Sequence, residues 1–142
     1  MERSERAVEL FNGGMNCTQS VLSAFGSAYG LDGETAMRLG APFGGGIAFL
    51  QEVCGALTGA IMIVGLARGA GGGDRDGREG VNEIARAMAA RFRELNGSIL
   101  CRDLIEYDIT TQEGLEEARS KNGFAPCAEY VRVASRILEE ML

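Results

Sequence analysis

Hydrophobic positions recur at helical spacing along most of the chain, and no stretch alternates apolar and polar residues long enough to predict a strand. Ala7, Val8, Leu10 and Phe11 mark a short first helix, closed by Asn12-Gly13-Gly14. Asn16 suits the N-cap of a second helix with Cys17, Val21, Ala24, Phe25 and Ala28 on its apolar face and Gly30 as its stop. Asp32 can cap a short helix through Leu39. Proline and three successive glycines break the chain at Gly40–Gly46, and a long apolar helix is expected from about Phe49 to Leu66. Gly69 to Gly77, rich in glycine with two aspartates, reads as a surface loop. Val81, Ile84, Ala85, Met88, Phe92 and Leu95 then form a helical stripe that ends at Asn96-Gly97.

Ser98 can cap a short helix carrying Leu100, Cys101, Leu104 and Ile105. Thr110 and Glu113 have capping-box spacing for another, ended by Asn122-Gly123. Pro126 fits the first turn of a last helix whose stripe is Cys127, Val131, Ala134, Leu138 and Met141. The pattern predicts an all-α fold: one compact domain over residues 1–142, of about six to eight helices with glycine-rich connections.

Composition narrows the function. At 142 residues and 46% hydrophobic, the chain can bury one core without disulfides. A formal charge of −6 repels phosphate backbones, which argues against nucleic acid and anionic membranes as partners. The apolar run from Val53 to Ala67 falls short of the ~20 residues that cross a bilayer, so no membrane insertion is expected. The amino terminus shows no secretory pattern, and the expected compartment is the reducing cytoplasm, where permanent disulfides are rare. The chain has no histidine, which removes Ser-His-Asp and Cys-His catalysis, His-ligated zinc and CxxCH haem attachment.

Four cysteines remain: Cys17, Cys54, Cys101 and Cys127. Each falls on the apolar face of its expected helix, where a cysteine packs well as a small hydrophobe. Cys17, Cys101 and Cys127 also fall in a first helical turn, where free N–H groups and the dipole should stabilise a thiolate and lower its pKa. The spacing contains no CxxC pair, so any shared centre must be assembled by tertiary structure. Cys54 is expected one or two turns inside the long helix, at the head of Cys54-Gly55-Ala56-Leu57-Thr58-Gly59. Gly55 and Gly59 make a strip that lets another backbone or a cofactor approach closely, at a cost of roughly 0.5–1 kcal/mol per internal glycine.

Four separated cysteines, the second heading a Gly/Ala-rich Cys54-Gly-Ala-Leu-Thr-Gly59 segment, resemble the C_GCAxxG_C_C family. Val53 stands where the family name writes glycine before cysteine. Asn16-Cys17-Thr-Gln-Ser-Val-Leu, Phe43-Gly-Gly-Gly46 and Cys101-Arg-Asp-Leu look similar as well, and the likeness spans about residues 10 to 140. The resemblance implies a helical cytoplasmic protein with a redox role, in a family whose members often lie near transporter genes. It also implies that the functional positions are the four cysteines. Haem, found beside a related module, is not carried over to a chain without histidine.

Other motifs are weaker. Gly44-Gly45-Gly46 lacks the Lys-Ser/Thr of a phosphate loop and reads as a turn. Glu52 and Arg102, near Cys54 and Cys101, read as solvated rim residues. Three functions follow. The first is thiol-based redox or electron transfer by Cys17, Cys54, Cys101 and Cys127, as a dithiol couple or as ligands of an iron–sulfur or other metal centre. In the thiol version Cys17 or Cys127 attacks, and another sulfur resolves. The partner is a redox protein or small molecule not named by the sequence. The second is a non-enzymatic module with zinc held by all four thiolates. The third is an interaction domain whose apolar helix supports homo-oligomer formation.

Overall fold

The computed structural model describes residues 1–69 and 75–142. Among them stand eight α-helices and no strand. They are α1 (Arg3–Asn12), α2 (Cys17–Phe25), α3 (Gly33–Gly40), α4 (Gly55–Arg68), α5 (Arg75–Asn96), α6 (Cys101–Leu104), α7 (Gln112–Ser120) and α8 (Cys127–Met141). Short polar side chains start several of them. The Asn16 carboxamide oxygen accepts from the Gln19 N–H at 2.8 Å, and the Gln19 side chain accepts from the Asn16 N–H at 3.1 Å, a reciprocal capping box. Asp32 accepts from the Thr35 N–H at 2.7 Å to open α3. At α7 the cap is Thr111, one residue beyond the expected Thr110, whose N–H and hydroxyl turn to Asp108 instead.

Two helix starts move by several residues. The helix expected from Phe49 begins only at Gly55. Between them Ile47, Ala48, Phe49 and Gln51 take left-handed backbone conformations, following Gly45 and Gly46 at φ 67° and 69°. The segment spends its backbone groups on α6: the Cys54 N–H donates to the Ile99 carbonyl (2.8 Å) and the Cys101 N–H to the Glu52 carbonyl (2.7 Å). Those bonds cannot coexist with a right-handed helix through Glu52. On the other side of α4, residues 75–77 are helical where the sequence predicts a loop. Arg and Glu are good helix formers, and extending a formed helix costs little per residue even across Gly77 and Gly80. The part of that loop at residues 70–74 lies outside the described residues.

The buried side chains fall into two groups. The larger joins α1, α2, α4, α5 and α8 around Leu22, Leu57, Ile63, Met88, Phe92 and Leu138, all 1% exposed or less. The smaller gathers Cys101, Ile105, Ile109, Ala118 and Cys127 under α6, α7 and the start of α8. Phe11, Cys17 and Tyr130 pack against both groups and mark the seam between them.

The tightest packing is between α2 and α4. A Cβ on Gly55 would sit 2.6 Å from the Thr18 hydroxyl and 3.0 Å from the Phe43 carbonyl, and one on Gly59 would sit 3.1 Å from Val21 Cβ. Thr18 uses the proximity, its hydroxyl donating to the Gly55 carbonyl at 2.8 Å. Gly65, in the same helix, faces open space. Gly55→Ala should therefore destabilise the fold by about 1–3 kcal/mol through overpacking. Gly65→Ala should stabilise it by about 0.5–1 kcal/mol through helix propensity. Urea unfolding followed by circular dichroism checks both; a tolerated Gly55→Ala would mean that α2 and α4 are free to move apart.

Candidate functional site

The seam opens into a cavity of about 260 Å³, and all four cysteines line it. Each sits at a helix start. Cys17, Cys101 and Cys127 are the first residues of α2, α6 and α8, and Cys54 is the N-cap of α4 rather than a residue inside it. Cys54, Cys101 and Cys127 are buried, Cys17 is half-buried, and all four are free thiols.

Local structure explains each placement. The Asn16 capping box fixes the start of α2 and so the position of Cys17. Asn16 also donates through its amide nitrogen to the Gly40 and Ala41 carbonyls, both at 3.2 Å, tying that helix start to the glycine turn. Cys54 and Cys101 are set by an isolated antiparallel bridge between Val53 and Leu100. Side chains alternate across such a ladder, so Cys54 and Cys101 share the face opposite Val53 and Leu100. Gly46 is seated against Cys101, where a Cβ would come within 2.9 Å of that residue's own Cβ.

Electrostatics divide the sulfurs. The side-chain interaction with Cys127 holds the Cys17 thiol well above the ordinary range, with burial adding to the effect. The same interaction pulls Cys127 below its ordinary value against the opposing cost of burial. Burial pushes Cys54 up to about 12, although the N–H groups of Ala56 and Leu57 at the α4 start oppose it. Burial first, and then the Cys127 charge, pushes Cys101 up to about 11, with the Gln51 side chain opposing. The expected lowering of Cys17, Cys101 and Cys127 is met in direction by Cys127 alone, where Cys17 rather than the helix start causes it, and is corrected for Cys17 and Cys101. Desolvation and mutual repulsion among clustered sulfurs outweigh the dipole at those two sites. The site has one favoured thiolate facing one favoured thiol.

Two residues of this arrangement escaped the sequence reading. Gln51, buried, donates to the Tyr107 carbonyl (3.0 Å), accepts from the Ile109 N–H (3.1 Å) and counters the upward shift of Cys101. Tyr130 lines the cavity and donates its hydroxyl to the Leu104 carbonyl at 2.7 Å, clasping α8 to α6. Tyr130 was detectable, since it stands three residues after Cys127 on one helical face. Gln51 carried no local signal. Glu52 and Arg102 pair with each other at 2.6 Å, both half-exposed and outside the cavity lining. Gly55 lines the cavity, whereas Gly59 is pressed against α2.

Four thiols are donors that zinc or iron–sulfur centres accept. In this arrangement, however, no group of three or more Cys, Asp or Glu side chains among the described residues is disposed to hold one metal ion. Nor is any helix among them long and apolar enough to cross a membrane.

The interaction between Cys17 and Cys127 predicts the order of thiol reactivity. Iodoacetamide should modify Cys127 first, with a pH midpoint below the ordinary thiol value, as read by peptide mass spectrometry. Cys17→Ala should move that midpoint upward, because burial then acts unopposed, and Cys17→Ser should restore part of it by keeping a donor. Cys54 and Cys101 predict alkaline lability. Their folded values of about 12 and about 11 exceed the unfolded 9.0. The stability they contribute is complete below pH 9.0 and lost as pH rises through those folded values. Urea midpoints should accordingly fall between pH 8 and pH 11, and fall less in Cys54→Ala.

No curated protein and no solved structure matches the chain. One family description, "Putative redox-active protein (C_GCAxxG_C_C)", matches residues 15–141. That span contains all four cysteines, α2 through α8 and the whole of the cavity's sulfur face, so the chain belongs to the C_GCAxxG_C_C redox-active family.

Proposed function

We propose that this protein is a dithiol–disulfide redox carrier whose working couple is Cys17 and Cys127. The observation that carries this reading is that Cys17 and Cys127 line one cavity open to a second reactant, where their interaction lowers the pKa of Cys127 and raises that of Cys17. A sulfur whose ionisation is favoured, beside one that keeps its proton, suits thiol–disulfide exchange, in which one attacks and the other resolves. The Cys127 thiolate attacks one sulfur of a partner disulfide, and the first partner thiolate leaves. Cys17 then attacks the Cys127 sulfur, expelling the second partner thiol and closing the Cys17–Cys127 disulfide. The partner gains two electrons and the couple gives up two. Cys54 and Cys101, held protonated by burial, keep the neighbouring field neutral and do not compete as nucleophiles. Exchange of this kind suits the reducing cytoplasm.

The arrangement supports the couple ahead of a zinc or iron–sulfur centre, since a four-thiolate centre asks the sulfurs to close around one point. The family's redox description also sits better with a cycling couple than with a structural zinc or a pure interaction module.

Diamide treatment of the reduced protein should remove two hydrogen atoms in mass and link the Cys17 and Cys127 peptides. Cys54→Ala and Cys101→Ala should still form that link, and Cys17→Ser should trap a mixed disulfide on Cys127. Purification with stoichiometric iron or zinc bound by all four sulfurs, or a disulfide that consistently joins another pair, would refute the assignment.

A further inference from the structure

The walls of the cavity say more about the reactant than the sulfurs do. Among the described residues that line it there is no Asp, Glu, Lys or Arg. Four aromatic side chains, Phe11, Phe49, Phe124 and Tyr130, contribute to the lining, and the backbone of Gly44 to Gly46 forms another part of the wall. The volume, about 260 Å³, corresponds to roughly nine water molecules, room for a molecule of one or two rings. A charged group entering this space would give up its hydration and find no counter-charge. A glutathione-like disulfide, with its several carboxylates and ammonium groups, is therefore a poor occupant. A flat neutral ring is a good one, since aromatic walls offer offset-stacked and edge contacts to it.

Resting on the Cys17–Cys127 couple argued above, we infer that the cavity takes an uncharged quinone as the two-electron partner of that couple. The Cys127 thiolate adds to an electrophilic ring carbon, forming an S–C bond. The Cys17 sulfur then attacks the Cys127 sulfur and gives up its proton to a ring oxygen. As the S–S bond forms, the S–C bond breaks and its electron pair passes to the ring. One further proton from solvent completes the hydroquinone. The dithiol is oxidised to the disulfide, the quinone is reduced by two electrons, and the reverse sequence oxidises a hydroquinone. Cys54 and Cys101 border the same space but stay protonated, so the ring meets one nucleophile.

The test uses the full-length reduced protein under anaerobic conditions. Menadione and its sulfonated, negatively charged analogue are compared as oxidants, and disulfide formation is read by mass spectrometry. Menadione should oxidise the couple with saturable kinetics and at least about tenfold more efficiently than the sulfonate, because burying an unpaired charge is costly. In addition, 1,4-dimethoxynaphthalene, which has the ring but accepts no electrons, should slow iodoacetamide modification of Cys127 saturably. Equal rates for the two quinones, rates that never saturate, no protection by the inert ring, or a stable quinone adduct in place of a disulfide would each overturn the inference. Failure of diamide to link Cys17 and Cys127 would instead sink the couple itself, so the two failures are told apart.

Discussion

Much of this molecule hangs on a few backbone hydrogen bonds between two irregular segments. Residues 51–54 and 99–102 lie antiparallel, with Cys54 donating to Ile99, and Cys101 and Arg102 donating to Glu52 and Gln51. The Arg102 guanidinium adds a bond to the same Gln51 carbonyl at 3.1 Å. Buried backbone polar groups need partners, and a helical protein usually supplies them within each helix. Here two chain segments far apart in sequence satisfy each other instead. Helices α4 and α6 therefore begin side by side, and two cysteines arrive on one face of the seam. The other two come from α2 and α8, whose starts are fixed by the Asn16 capping box and by Pro126.

That geometry creates an electrostatic problem with one economical solution. Four sulfurs in an apolar seam cannot all ionise, because each thiolate loses hydration and raises the cost of the next. One thiolate is tolerable if a neighbour donates to it. Cys17 supplies that donor, and Cys127 sits first in α8, where the helix N-terminus also favours a negative charge. Cys54 and Cys101 meet the same condition by remaining neutral. The contrast between the lowered Cys127 and the raised Cys17, Cys54 and Cys101 thus follows from burial and from the Cys17–Cys127 interaction.

The sequence made the helical architecture legible because most helix boundaries carry strong local chemistry. Asn16, Gly30, Asp32, Gly97 and Pro126 stop or start elements where polar caps, left-handed glycine or the proline ring demand it. The four cysteines stood out by type and by their place near helix starts. What was illegible is non-local. Nothing in Phe49-Leu-Gln-Glu-Val-Cys54 argues against a helix, since these residues tolerate one well. The conformation is decided by hydrogen-bond partners near residue 100. Cys54 was for that reason expected inside a helix and is found at its beginning. Gln51 was missed for the same cause, because its role exists only once Cys101, Tyr107 and Ile109 surround it. The raised values of Cys17 and Cys101 likewise depend on burial and on sulfurs from other elements.

The left-handed run at Gly45–Phe49 is the clearest sign of what the fold is organised to hold open. Glycine takes such a conformation freely, but Ile47, Ala48, Phe49 and Gln51 do so at about 1–3 kcal/mol each. Part of that cost is offset by the bonds the run makes, from Ala48 to the Pro42 carbonyl (2.7 Å), from Phe49 to Gly44 (3.1 Å) and from Glu52 to Gly46 (2.9 Å). A regular helix through these residues would make as many bonds without strain. It would also carry Phe49 off the cavity wall and draw Glu52 away from Cys101. The strained path keeps Phe49 on the wall, with the Arg119 guanidinium 5.8 Å from its ring centroid on the side of α7. It brings Gly46 into contact with Cys101, where any side chain would close the gap. The strain is thus concentrated in the segment that walls the four-sulfur cavity, where the backbone path rather than local propensity sets the shape of the space.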